Sequence, residues 1–129
     1  MCIVCSKYSV NGKGSLKRKI HRAAKYFDNS EMKRFIAIKE LIPSEENYTY
    51  KSGQISIDEF SFRIWTPQQI AVVLYHELLH FERYRDGRRQ IEAEVEAESD
   101  GWARDKGLRL PNELTSRQET LADWLMQIR

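Results

Sequence analysis

The sequence predicts an α+β fold in a single domain, residues 1–129. The expected order is an N-terminal helix, a small, mostly antiparallel sheet of about three strands, a long apolar helix, a glutamate-rich helix and a C-terminal helix. Three observations lead there. Apolar residues recur at helical spacing in two stretches, Leu16 to Phe27 and Ile70 to Phe81. Short β-type runs fill the span from Phe35 to Ile64. Capping signatures open helices at Thr66 and at Thr115. A chain of 129 residues is one domain's worth and buries a modest core.

The elements follow in order. Asn11-Gly12-Lys13-Gly14 reads as a loop, with Ser15 as the cap of a helix that buries Leu16, Ile20, Ala23, Ala24 and Phe27. Phe35-Ile36-Ala37-Ile38 with Leu41 and Ile42 reads as a strand stopped by Pro43. Tyr48-Thr49-Tyr50 and Ile55-Ser56-Ile57 flank a hairpin turn at Lys51 to Gln54. Phe60-Ser61-Phe62-Arg63-Ile64 alternates and reads as a further strand. Thr66, Pro67 and Gln69 then form an N-cap, an N1 proline and the far side of a capping box. This helix runs to about Tyr84 and ends near Asp86-Gly87. It is apolar over most of its circumference, so it is expected to be buried. Arg88 to about Lys106 forms the next helix, and Gly107 suits its exit. Thr115-x-x-Gln118 opens a last helix with Leu121, Trp124, Leu125 and Ile128 on one face.

Composition narrows the function classes. With 41% hydrophobic and 31% charged residues the chain is neither a disordered tail nor a membrane protein, and no apolar run approaches the ~20 residues of a span. No signal-peptide pattern is visible at the start, so the expected compartment is the cytoplasm. The net charge of +2 conceals an asymmetry: +7 over residues 1–42 against −5 over residues 43–129. The basic helix around Lys17, Arg18, Lys19, Arg22 and Lys25 is either a solvated face or a contact for nucleic acid or an acidic partner. Cys2 and Cys5 form a lone Cys-x-x-Cys without the second pair that a zinc ribbon needs. Reduced thiols at a mobile chain end are the expectation.

The residues that carry chemistry are His76-Glu77-Leu78-Leu79-His80, an H-E-x-x-H motif inside the apolar helix. Residues i and i+4 share a helix face, so both imidazoles can aim at one Zn²⁺ about 2.0–2.1 Å away. Glu77 lies about 100° further round, beside the ion rather than on it, where a base for a metal-held water belongs. Paired imidazoles beside a carboxylate are costly in an apolar helix without a partner. A catalytic zinc takes three protein ligands and keeps one position open. No His follows His80, which removes the metzincin pattern. The third ligand is then sought in the acidic helix, among Glu92, Glu94, Glu96 and Glu98.

Glu96-Ala97-Glu98-Ser99-Asp100-Gly101-Trp102-Ala103 resembles the E-x-x-x-D element of gluzincin zinc peptidases, including the small minigluzincin and ImmA/IrrE-like enzymes. The likeness covers roughly residues 67–106, helix spacing included. It implies a minimal zincin-like layout, Zn²⁺ as cofactor, Glu96 as third ligand and Asp100 as support for His76 or His80. Glu92, one turn earlier on the same stripe, is the alternative ligand. The oxyanion-stabilising group stays open among Tyr75, Tyr84, Arg104 and His21.

The function expected is a zinc-dependent metalloendopeptidase acting on a peptide or protein substrate. Glu77 takes the proton of the attacking water and passes it to the leaving amine. The substrate is expected to pair with an edge strand, either Ile55–Ile57 or Phe60–Ile64. So small an enzyme is narrowly specific or latent. The alternative is a zinc-containing binding module with little or no turnover, its basic N-terminal helix on DNA or an acidic protein.

Overall fold

A computed structural model describes residues 2–8 and 14–108. The helix expected from Thr115 onward lies outside the described residues. Within them the fold is α+β: six helices and one three-stranded sheet. The helices are α1 (Ile3–Ser6), α2 (Ser15–Ala24), α3 (Asn29–Arg34), α4 (Glu59–Ile64), α5 (Pro67–Arg85) and α6 (Glu92–Asp105). The strands are β1 (Glu40–Ser44), β2 (Tyr48–Thr49) and β3 (Gln54–Asp58). No helix among the described residues is long and apolar enough to cross a membrane.

The sheet is mixed rather than mostly antiparallel. Its order is β1-β3-β2, with β3 paired parallel to β1 over five residues and antiparallel to β2 over two. The turn at 51–53 closes the β2–β3 hairpin as expected, with Gly53 at φ +95°. Pro43 does not stop a strand but lies inside β1, opposite Ile57. Proline is tolerated there because β1 is an outer strand.

One expected strand, Phe60–Ile64, is helical, and of the other only Phe35–Ala37 is, while Leu41 and Ile42 lie in β1 as expected. Asp28 and Glu31 form a reciprocal capping box, at 2.8 and 2.9 Å, that starts α3. The chain then tightens through a 3₁₀ turn, Phe35–Ala37, before β1. Asp58 likewise caps α4: its carboxylate accepts from the Ser61 N–H at 3.2 Å and from the Ser61 hydroxyl at 2.7 Å. Only Phe62 of the alternating run is buried, while Phe60 and Ile64 stay exposed. At Phe60–Ile64 a side-chain cap on the orphan N–H groups outweighs a two-residue hydrophobic period.

The core forms around α5. Ile70, Leu74 and Leu78, spaced four apart, are fully buried, as are Ile20 of α2, Ile55 and Ile57 of β3 and Phe62 of α4. α5 keeps its expected limits, with the Thr66–Gln69 capping box in place. α6 starts four residues later than expected, because the chain is still extended at Ile91.

Two polar networks lock the helices. Trp102 of α6 stacks on Tyr75 of α5, with ring centroids 4.4 Å apart and planes 8° apart, and lies 5.3 Å from Phe27. Its indole N–H donates to Glu31, which also receives Lys106 at 2.7 Å. Arg34 holds Glu82 and donates to the Tyr75 hydroxyl at 3.0 Å. Lys19 of the basic helix is spent internally. Its ammonium donates to the carbonyls of Phe62 (3.3 Å), Arg63 and Trp65 (2.7 Å), closing the C-terminal end of α4.

Trp102→Phe keeps the ring stack but deprives Glu31 of its indole donor. The expected cost is about 1–3 kcal/mol in urea unfolding, with an unchanged m-value.

Candidate metal centre

His76, Glu77 and His80 occupy one turn of α5, facing a cavity of about 470 Å³ bordered by β2 and the first turns of α6. The two imidazole Nε2 atoms are 3.2 Å apart. The carboxylate of Glu92 bridges them: Oε1 is 2.7 Å from Nε2 of His76, and Oε2 is 2.8 Å from Nε2 of His80. These three side chains present one ligand atom each within 4.8 Å of one another.

A turn between the helices sets this register. α5 ends in a Schellman arrangement, with Gly87 at φ +67°. The Gly87 N–H donates to the Tyr84 carbonyl at 3.3 Å and the Arg88 N–H to the Arg83 carbonyl at 2.8 Å. The next residues are tied back to α5. Arg83, buried in spite of its charge, donates to the Arg89 carbonyl (3.0 Å) and to Glu94 (3.1 Å). Gln90 grips His80 at two points: its Oε1 is 2.6 Å from Nδ1 of His80, and its Nε2 donates to the His80 carbonyl at 2.9 Å. With that accepting oxygen on Nδ1, the proton of a neutral His80 sits on Nδ1. Nε2 then carries a lone pair into the cavity.

The expected site residues therefore converge, with one change of partner. Glu96 and Asp100 both line the cavity, as their shared helix face requires. The carboxylate that meets the imidazoles is nevertheless Glu92, the first residue of α6, and Glu96 sits one turn beyond the cluster. Asp100 is hydrogen-bonded to neither imidazole among the described residues. The outer nitrogen of His80 is held by Gln90 instead. Gln90 carried no motif that would have marked it. Its position just before the acidic helix was the only available signal.

Glu77 is buried, with 5% of its surface exposed. Burial pushes its carboxyl up to about 7; Glu92 adds to the shift, and His80 and Thr49 oppose it. Thr49 of β2 donates its hydroxyl to the Glu77 main-chain carbonyl at 3.1 Å, which fastens the strand to the helix. Burial moves the His76 imidazole the other way, below its ordinary range, and the charge of Glu92 partly offsets this. Of the four residues considered for oxyanion stabilisation, only Tyr84 reaches the cavity. Its phenol is raised, chiefly through Tyr48 beside it, so it keeps its proton at neutral pH. Tyr75 is tied to Arg34, and His21 lies beside Cys5.

The donor set fits a divalent cation of the zinc class. Two imidazole nitrogens and a carboxylate oxygen converge, one nitrogen oriented from behind, with a buried second carboxylate alongside. A divalent cation at its centre would satisfy such a concentration of lone pairs. Comparison with protein-family models, with curated proteins and with solved structures returns no match to this chain.

In metal-free protein the raised carboxyl of Glu77 makes stability pH-dependent. Between an ordinary carboxyl value of 4.5 and about 7, the folded state keeps a proton that the unfolded state has lost, so stability falls as pH rises through that window. Glu77→Gln removes the effect. With metal chelated, the variant should unfold at the same denaturant concentration as wild type near pH 4. Near pH 8 it should be more stable by up to ~3 kcal/mol.

Proposed function

We propose that the protein is a small zinc-dependent metallopeptidase. His76, His80 and Glu92 would hold the metal, and Glu77 would act as the general base. The observation that carries this reading is the meeting of both imidazoles with one carboxylate beside the buried carboxyl of Glu77. A metal bound there supplies Lewis acidity towards the scissile carbonyl and lowers the pKa of water.

The remaining steps belong to the chain itself. Glu77 accepts the proton of the attacking water and delivers it to the leaving amine. Its raised carboxyl suits a group that must both take and give a proton near neutrality. Gln90 keeps the Nε2 face of His80 pointed into the cavity. The Tyr84 hydroxyl serves as donor to the developing oxyanion.

Neither of the substrate strands suggested by the sequence suits this role. Ile55–Ile57 belong to β3, which is paired on both sides, and Phe60–Ile64 form α4. The strand that borders the cavity is β2, at the outer limit of the sheet. Its main chain at Tyr48 and Thr49 would pair with an extended peptide laid across the metal ligands. This reading makes β2 the substrate-binding edge.

Metal analysis and a peptide-library digest test the proposal together. Wild type purified under oxidising conditions should hold about one zinc and cleave peptides in a chelator-sensitive manner. Glu92→Gln should lose the metal, whereas Glu96→Gln should keep it. Gln90→Ala should weaken metal affinity by about 10–100-fold. Glu77→Gln should retain zinc and lose cleavage by at least ~10²-fold. A Glu77→Gln enzyme as fast as wild type, or a protein that takes up no zinc, refutes the assignment.

A further inference from the structure

Cys2 and Cys5 are not the free thiols that the sequence suggests but a disulfide at the start of α1. Their surroundings are specific. Cys2 is the N-cap of α1, and its Sγ accepts the Cys5 N–H at 3.1 Å. Cys5 is buried and Cys2 half-buried, because Val4 between them is packed fully into the core. α2 packs against α1 and brings His21 across. Its Nδ1 comes within 3.4 Å of Cys5 Sγ. His21 is exposed because its helix turns Leu16, Ile20, Ala23 and Ala24 inward and leaves position 21 at the rim. Two sulfurs and one imidazole nitrogen thus lie within 4.8 Å of one another, from two elements far apart in sequence.

We propose that Cys2, Cys5 and His21 form a thiolate metal site for a thiophilic divalent ion of the zinc class, and that reduction of the Cys2–Cys5 disulfide opens it. The donor set is that of a three-ligand site with its outer coordination left to solvent. In the disulfide both sulfurs are bonded to each other, and neither is a thiolate. Reduction supplies two electrons and two protons, breaks the S–S bond and leaves two thiols. With a phosphine reductant, phosphorus is oxidised to the phosphine oxide and takes its oxygen from water. Metal binding then displaces both thiol protons, while the imidazole donates a lone pair and releases none. The site is built from α1 and α2 and does not depend on the function proposed for α5 and α6.

Cobalt(II) titration under anaerobic conditions tests it, because only thiolate ligands give sulfur-to-cobalt charge-transfer absorption. The oxidised wild type should show no such band. After reduction with a phosphine and removal of the excess, it should develop one whose amplitude corresponds to about one thiolate-bound cobalt per chain. The band should be lost in Cys5→Ser and weakened at least ~10-fold in apparent affinity in His21→Asn. It should persist in a His76→Ala/His80→Ala variant, whose other donor cluster is removed. Should that double variant fail to fold, the wild-type band still decides, since histidine and carboxylate ligands do not produce it. A reduced wild type without the band overturns the proposal, as does a His21→Asn protein with unaltered affinity.

Discussion

Helix α5 has to bury most of its surface while carrying three ionisable side chains within a single turn, and the rest of the structure accommodates that conflict. Its apolar positions hold the core together through Ile70, Leu74 and Leu78. His76, Glu77 and His80 open onto the cavity on the remaining face. Partial burial of such groups is costly unless each finds a partner. His80 has Gln90 behind it, both imidazoles have Glu92 in front, and the Glu77 carboxyl answers its burial by retaining a proton to about 7.

The position of Glu92 depends on two fastenings at opposite ends of α6. At its start, the Gly87 turn, the Arg83 contacts and the double grip of Gln90 prescribe where the first helical residue emerges. Further along, Trp102 is seated on Tyr75 and linked to Glu31, which orients the helix about its axis. A rigid helix pinned at both ends delivers a carboxylate with more precision than a loop would. The strand β2, fixed to α5 through Thr49, completes the cavity from the other side.

α2 joins this arrangement to the N-terminal segment. One face of the helix packs into the core, and its rim brings His21 to Cys5. Lys19 on the same helix caps α4 rather than serving as part of a cationic surface. A basic stretch in a sequence can thus be divided between internal capping and solvent, and composition does not distinguish the two.

The apolar helix, its capping box and the pairing of His76 with His80 were legible in the sequence, because they rest on contacts between residues three or four apart. The β2–β3 hairpin was legible for the same reason, through its turn residues. The helical character of Phe60–Ile64 was also written locally, in the Asp58 cap, but a two-residue alternation concealed it, whereas the 3₁₀ turn at Phe35–Ala37 has no side-chain cap of its own and follows directly on α3. What only the tertiary structure decided was which glutamate meets the imidazoles, which strand lies along the cavity, and that His21 comes to the cysteines. Helical periodicity places Glu92, Glu96 and Asp100 on one face without ranking them. Their ranking comes from the length and path of the turn at 86–91 and from the stack of Trp102 on Tyr75, with the indole held by Glu31, 71 residues away in sequence. Those are long-range packing terms, and no local spacing encodes them.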